Sequence, residues 1–370
     1  MRLDWLELTD FRSYTELAFK PEPTINVLVG DNGAGKTNLL EAIAYLGSLS
    51  SFRGAPETAL VASGATKAVV RGEVNQMGST SLVEIELPTE GRRRVQVNRQ
   101  HLTRVGDMLG HLRIVVFLPD DLDIVKRGPS YRRDFLDAVC VQLWPVAFLD
   151  QQEYERALRQ RNALLRQMGR STDPATLNVW NQRLSEAGAK VMIRRYEAVA
   201  AISEHTKTAY RALTTEPSRI QIGYRSNWGG SVVDQLPVED LTARLWAALE
   251  EAETTDKDRR VTTVGPHRDE PLLFINGQPT RTHASQGEQR TLILSLRLAS
   301  HAAISERVGS PPLLILDDVF SELDIGRARS LAAALPNAQT FITTARDEEV
   351  PLKGARWEAI SGGVKRAVST

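Results

Sequence analysis

A single cysteine, Cys140, stands in 370 residues, so no internal disulfide can form and no cysteine-rich metal site is available. Its place in the apolar run Ala138-Val139-Cys140-Val141 reads as a buried, inert thiol. Net charge is missing too. The 46 Lys and Arg balance 46 Asp and Glu, so any attraction to nucleic acid must come from cations gathered on one face. No apolar run approaches the roughly 18 residues of a membrane span. The opening Met1-Arg2-Leu3-Asp4-Trp5-Leu6-Glu7 sets charges where a signal peptide needs an apolar stretch. A soluble, cytoplasmic protein is expected. The six histidines form no spaced metal set, and His267 reads as a packing or hydrogen-bonding residue.

What is present suffices for an ordinary core, with 42% apolar residues in one large domain or two moderate ones. Short strands are expected from Leu3 to Val29, the last being Ile25-Asn26-Val27-Leu28-Val29. Alternation at Leu82–Leu87 and Arg94–Val97 predicts antiparallel strands, and Ile114–Leu118 a buried one. From Pro129 to Leu213 helical spacing dominates, broken only at Pro145 and Pro174. A turn at Ser226–Gly230 and the acidic, exposed-looking stretch Glu250 to Asp258 mark the exit from this helical part. A helix from about Glu288 to Arg307 and the strand Leu313–Leu316 follow. The expected lobes are therefore 1–127, a mainly helical 128–258, and 259–370 returning to the first.

Gly30-Asp31-Asn32-Gly33-Ala34-Gly35-Lys36-Thr37 fits the phosphate loop G-x-x-x-x-G-K-[ST] and lies between a predicted strand and a predicted helix. Its glycines let backbone N–H groups wrap phosphates, and the following helix adds its positive end. Lys36 is expected to reach the β- and γ-phosphates of ATP and the Thr37 hydroxyl to bind Mg²⁺. The strand Leu313-Leu314-Ile315-Leu316 ends in Asp317-Asp318, where such a fold places its Mg²⁺-holding acid. Asp317 takes that role and Asp318 that of general base. A strand ending in acids is also a common turn or cap, so the pair gains its meaning from the upstream loop. Ser285-Gln286-Gly287-Glu288-Gln289-Arg290 opens an apolar helix. A serine and a glycine there can form an anion site, while Ser285 with Glu288 equally spells a capping box.

That hexapeptide resembles the signature motif of ABC-type ATPases in the form used by DNA-repair members, and Ser321-Glu322-Leu323-Asp324 resembles their D-loop. Leu8-Thr9-Asp10-Phe11-Arg12-Ser13-Tyr14, Gly30 to Ile43, Gly265-Pro266-His267-Arg268-Asp269 and Leu316 to Asp324 together resemble the RecF family of bacterial recombination mediators, with matches along nearly the whole chain. The resemblance implies an α/β ABC-type ATPase head with a P-loop mixed sheet, an antiparallel β subdomain and a mainly helical second lobe. It implies a head-to-tail homodimer around two ATP molecules, each site joining one chain's phosphate loop to Ser285 and Gly287 of the other. It further implies binding to double-stranded or gapped DNA and work with RecO and RecR in loading recombinase. Transporter ATPases carry a histidine where this chain has Gln339-Thr340-Phe341-Ile342-Thr343-Thr344, so Thr344 is expected at the γ-phosphate and hydrolysis to be slow. No Q-loop glutamine is evident; Phe117 to Asp121 is the segment to search.

At 100° per residue Arg156, Arg159, Arg166 and Arg170 fall within about an 80° arc of one helix, opposite Tyr154, Ala157, Leu158, Leu164, Leu165 and Met168. Arginine forks suit DNA phosphates, although a solvated face with Glu155 paired to Arg159 explains the stripe equally well. Arg161 points to the apolar side and reads as structural. Arg92-Arg93-Arg94 and Lys126-Arg127 with Arg132-Arg133 are further candidates, without the interleaved aromatics of a single-strand stacking platform. An ABC subunit of a non-DNA assembly such as a transporter is the competing assignment. A long coiled-coil arm is excluded, because the roughly 275 residues between Thr37 and Leu313 show no sustained heptads.

Overall fold

The computed structural model describes residues 1–214, 216–229 and 236–367. The chain forms two compact units, one of residues 1–121, 208–217 and 290–370, the other of residues 122–207 and 218–289.

The first unit holds two six-stranded sheets. β1 (Arg2–Phe11), β2 (Tyr14–Phe19), β4 (Lys67–Gln76), β5 (Ser79–Pro88), β6 (Arg94–Val97) and β7 (Gln100–His101) form an antiparallel sheet ordered β2-β1-β4-β5-β6-β7. Every second residue of β4 from Ala68 to Val74 is buried, as a sheet with one covered face requires. The other sheet is ordered β15-β14-β3-β13-β12-β8, from β3 (Ile25–Val29), β8 (Ile114–Phe117), β12 (Leu313–Asp317), β13 (Thr340–Thr344), β14 (Ala355–Ile360) and β15 (Gly363–Arg366). All its pairings are parallel except β14 with β15. β12 and β13 are buried at every residue, which explains the apolar run of β12 and the small, β-branched threonines that complete β13. The helix Lys36–Ser48 packs on β12, β8 and β13 on one side and on β4 and β1 on the other, burying all of Leu39 to Gly47. Glu41 is fully buried within it and is neutralised by a two-pronged contact from Arg12, at 2.8 and 3.0 Å.

His301, on the helix Gln286–Val308, is buried with Nε2 3.1 Å from the Pro312 carbonyl. Burial pushes its pKa down to about 4, so it is neutral in the native state. The unfolded chain binds its proton near pH 6.5. Stability is therefore fully present above about pH 6.5 and falls as pH drops toward 4, by up to about 3 kcal/mol from this residue. His301→Gln is expected to flatten the urea-unfolding free energy across that window; an unchanged slope would contradict the assignment.

The second unit contains the helices Pro129–Leu143, Val146–Met168, Val238–Glu251 and most of Pro174–Leu213, with β9 (Ile220–Arg225), β10 (Glu270–Ile275) and β11 (Gln278–Pro279) in a three-stranded sheet ordered β11-β10-β9. Tyr154, Ala157, Leu184, Met192, Leu241 and Leu245 are among its core residues. Pro145 breaks the chain between the first two helices, and Pro174 opens Pro174–Leu213 at the first helical position, where its missing N–H costs nothing. The units divide the chain elsewhere than the expected lobes. Residues 208–217 belong to the first unit, and 259–289 belong to the second because β10 pairs along its whole length with β9. The expected turn at Ser226–Gly230 is seen through Gly229; Gly230 lies outside the described residues.

The acidic exit segment is only partly exposed. Asp256 is fully buried against Arg161, whose guanidinium reaches the Asp256 carboxylate at 2.7 Å, the Thr262 hydroxyl at 2.8 Å and the Asn181 amide oxygen at 2.7 Å. A buried arginine needs such a partner, and the pairing spans 95 residues.

Candidate functional site

β3 carries the chain into the loop Gly30 to Gly35, and the helix from Lys36 carries it out. Asp31, Asn32 and Gly33 are exposed, while Gly35 and Lys36 are buried. Gly33 and Gly35 have φ of 88° and 98°, in the left-handed region that glycine enters without strain. A Cβ on Gly35 would also lie 2.9 Å from the Tyr14 hydroxyl, which donates to the Gly35 carbonyl at 3.1 Å. At Gly30 a Cβ would lie 2.6 Å from the Ala359 carbonyl. The Lys36 ammonium donates to the Gly30 and Asp31 carbonyls at 2.5 and 2.9 Å, drawing it over its own loop. Burial lowers its pKa, opposed by the charges of Asp318, Asp317 and Asp31.

The end of β12 brings the carboxylates to the loop. Thr37 donates to Asp317 Oδ1 at 2.9 Å, and Thr343 donates to the same oxygen at 2.6 Å. The hydroxyl and carboxylate expected to share Mg²⁺ are thus adjacent although 280 residues apart in sequence. Asp318 adopts φ 50°, its N–H bonding the Thr343 hydroxyl at 2.9 Å. Its Oδ1 is buried with no hydrogen-bond partner among the described residues. Burial, with the neighbouring Asp317 charge, pushes the Asp318 pKa above the usual carboxylate range. An unpaired buried carboxylate oxygen beside a paired one is a donor set suited to a hard cation and a polarised water.

Thr343 is the threonine that meets Asp317, and sequence reasoning missed it. Thr344 instead lies 2.9 Å from both the Glu349 carboxylate and the Arg346 carbonyl, because consecutive residues of β13 face opposite sides of the sheet. In the D-loop segment the Ser321 hydroxyl donates to the Asp318 carbonyl at 2.7 Å, and Arg290 reaches the Glu322 carbonyl at 2.6 Å and its carboxylate at 3.1 Å. Asp324 caps the helix Ile325–Ala334 by accepting the Arg327 N–H at 2.9 Å.

Ser285 is exposed at the start of Gln286–Val308 and forms the capping box, its N–H bonding Glu288 at 2.8 Å and its Oγ accepting the Glu288 N–H at 3.3 Å. The cap uses one lone pair of the hydroxyl, whose proton remains a donor. Capping and phosphate binding are therefore compatible.

The block Gly265 to Asp269 lies in a buried polar network of the second unit. His267 Nδ1 meets the Tyr154 hydroxyl at 2.6 Å, and burial lowers the histidine pKa to about 4. Asp269, raised to about 6 by burial, accepts Tyr224 at 2.7 Å and the Asn227 N–H at 2.9 Å. Arg195 clamps Asp137 at 2.6 and 2.7 Å and reaches Tyr224 at 3.1 Å. No periodicity could have joined these scattered residues.

Arg156, Arg159 and Arg166 are exposed on the helix Val146–Met168, and Arg159 pairs with Glu155 at 3.3 Å. The helix ends before Arg170, which falls in the 3₁₀ turn Gly169–Ser171 after Gly169 at φ 50°; its side chain lies outside the described residues. Met168, expected on the apolar side, is 47% exposed. Arg132 is buried against the Pro271 carbonyl and Glu270, and Arg133 donates to the Asp269 carbonyl at 2.7 Å, so both are structural.

The family model described as "RecF/RecN/SMC N terminal domain" matches residues 2–360. The DNA replication and repair protein RecF of Arthrobacter sp. (strain FB24) is 39% identical over 401 aligned residues, covering 100% of both chains. The chain belongs to the RecF family. Two solved structures of the recombination mediator protein RecF in the RecFOR pathway, one with ATP and one denoted RecF-ATPrS, are each 30% identical to it. Their TM-scores are 0.87 and 0.91; the first comparison covers 99% of both chains, the second 99% of this chain and 98% of the other. The fold is accordingly an ABC-type ATPase head of the RecF kind, without a long coiled coil among the described residues. None of the described helices is long and apolar enough to cross a membrane.

Proposed function

We propose that this protein is a slow, Mg²⁺-dependent ATPase of the cytoplasm that closes into a head-to-tail homodimer on ATP, binds double-stranded or gapped DNA, and helps RecO and RecR load recombinase. The contact of Thr37 with Asp317 carries the catalytic part, because it joins the phosphate loop to the acid at the end of β12. Gly30 to Thr37 would wrap the phosphates, with Lys36 offsetting their charge. Thr37 and Asp317 would hold Mg²⁺, which when bound supplies charge neutralisation of the phosphates. Asp318, with its buried unpaired oxygen and raised pKa, would take the proton of the attacking water.

Dimerisation is supported by the exposed Ser285 hydroxyl and by Ile325, which is 73% exposed beside the D-loop and is apolar surface that association would cover. The second chain would contribute Ser285 and Gly287 to the γ-phosphate; Thr344 contributes there only if its bond to Glu349 is exchanged. Hydrolysis would then release the dimer.

Arg156 and Arg166 are exposed without a protein partner among the described residues, which supports a DNA backbone contact along this helix. Glutamine at Arg156, Arg159, Arg166 and Arg170 together is expected to weaken duplex binding and to lower the salt slope by roughly 0.9 for each phosphate that is no longer neutralised. Unchanged affinity and slope would leave the stripe a solvated face. Salt-dependent retention of the wild-type protein on duplex DNA, with and without ATP, tests the assignment as a whole. No retention in either condition would favour a nucleotide-binding subunit of a non-DNA assembly such as a transporter.

A further inference from the structure

Beside the β6–β7 hairpin of the first unit lies a cleft of about 450 Å³ lined by Glu57, Arg92, Arg93, Arg94, His101 and Thr103. Its three arginines are held differently. Arg93 is anchored: its Nη1 lies 3.1 Å from the Tyr45 hydroxyl and 2.8 Å from the Leu49 carbonyl, and it neutralises Glu57. All these bonds use Nη1, so Nε and Nη2, the edge that grips an oxyanion in two-pronged fashion, have no acceptor among the described residues. Neither nitrogen is a buried unsatisfied atom, so that edge is open to solvent. Among the described residues Arg92 is exposed without an ion-pair or hydrogen-bond partner, and Arg94, its side chain 71% exposed, pairs with Glu86 at 3.4 Å, a carboxylate already bound by Lys67 at 2.8 Å.

The one acid of the lining is thus cancelled by Arg93, and Arg92 and Arg94 remain as surplus cations around an immobilised guanidinium fork. A pre-positioned fork loses less side-chain freedom on binding than a free surface arginine does. Among the described residues no Phe, Tyr or Trp lines the cleft, and its one ring, His101, lies 3.4 Å from the Gln96 amide, so the surplus cations favour a phosphate over a stacked base as the recognised group.

We propose that this cleft is a phosphate-binding site that takes a backbone phosphate of DNA, separate in sequence from the arginine stripe. The proposal rests on the assignment of the chain as a DNA-binding protein. The test compares the wild-type protein, Arg92→Gln/Arg94→Gln, Arg93→Lys and Arg99→Gln/Arg104→Gln for binding to a 30-base-pair duplex across a salt series. The last pair removes the same charge from the same neighbourhood but outside the lining. Arg92→Gln/Arg94→Gln is expected to lower the slope of log affinity against log salt by about 0.9, for the one phosphate no longer neutralised, and affinity near 0.1 M salt by on the order of tenfold. Arg93→Lys keeps the charge and removes the fork, so it should weaken binding several-fold with little change in slope. An unchanged thermal midpoint and ATPase rate would show that each variant is folded.

Equal losses from the Arg99/Arg104 control would overturn the cleft in favour of diffuse charge. Normal DNA binding by the Arg92/Arg94 variant would overturn it while leaving the DNA-binding assignment standing, whereas no binding by the wild type would overturn both. If DNA binding were unchanged but calorimetric binding of inorganic pyrophosphate to ADP-saturated protein were lost, the cleft would belong to a small anion and the DNA source would be wrong.

Discussion

Lys36→Ala is expected to weaken ATP binding at least about 100-fold while the chain still folds. The ammonium of Lys36 lies over the loop on the Gly30 and Asp31 carbonyls, where it would meet the terminal phosphates. Losing charge-assisted hydrogen bonds to phosphate costs about 3 kcal/mol, which is a factor of about 100. Folding should suffer little. Burial already disfavours the charged form of Lys36, and alanine is the best helix former at the first position of Lys36–Ser48. Calorimetric titration with ATP, alongside a thermal melt, checks both halves. Normal ATP affinity in a folded variant would remove this loop from the nucleotide site.

Asp318→Asn is expected to lower ATP turnover by roughly 100-fold or more while ATP still binds, since general-base catalysis contributes about 10² to 10⁴. The substitution is local for two reasons. Asn accepts the left-handed backbone of residue 318, at φ 50°, about as readily as Asp. The Thr37, Thr343 and Asp317 cluster does not use the Asp318 side chain, so the Mg²⁺ ligands stay in place. Because the Asp318 pKa is raised, wild-type turnover should also fall toward acid at a pH above that of an ordinary aspartate, and the variant should lose that limb. Single-turnover measurements separate the outcomes: retained binding with lost chemistry assigns the base, whereas unchanged turnover would place it on another residue.

The parts of the site that were legible are contiguous in the chain. The loop Gly30 to Thr37 and the acids Asp317-Asp318 each follow a short apolar strand, and in the fold both strands run parallel in one sheet with β13 between them. Pattern alone could not show that Thr343 reaches Asp317, because the side that a strand presents to the site depends on its register with β12. The same limit misplaced residues 259–289, whose β10 is claimed by β9 from about 50 residues earlier. Charge misled in two places. Arg132 and Arg133 read as a basic patch, yet they hold backbone carbonyls of the second unit, and Asp256 in an acidic run is fully buried on Arg161. In each case the deciding partner is remote in sequence and close in space.

The central claim is that ATP is sandwiched between two copies of this chain, with Ser285 of one facing the nucleotide of the other. Sedimentation of the wild-type protein and of Ser285→Arg, each with and without ATP and Mg²⁺, tests it most directly. Loss of the helix cap alone would cost about 1 kcal/mol of stability and leave association untouched. The shared site instead predicts that wild-type mass shifts toward the dimer with ATP, that Ser285→Arg stays monomeric, and that its ATP affinity is nearly unchanged because its own phosphate loop is intact. ATP-dependent dimerisation of Ser285→Arg as strong as that of the wild type would contradict the shared site and leave Ser285 a helix cap.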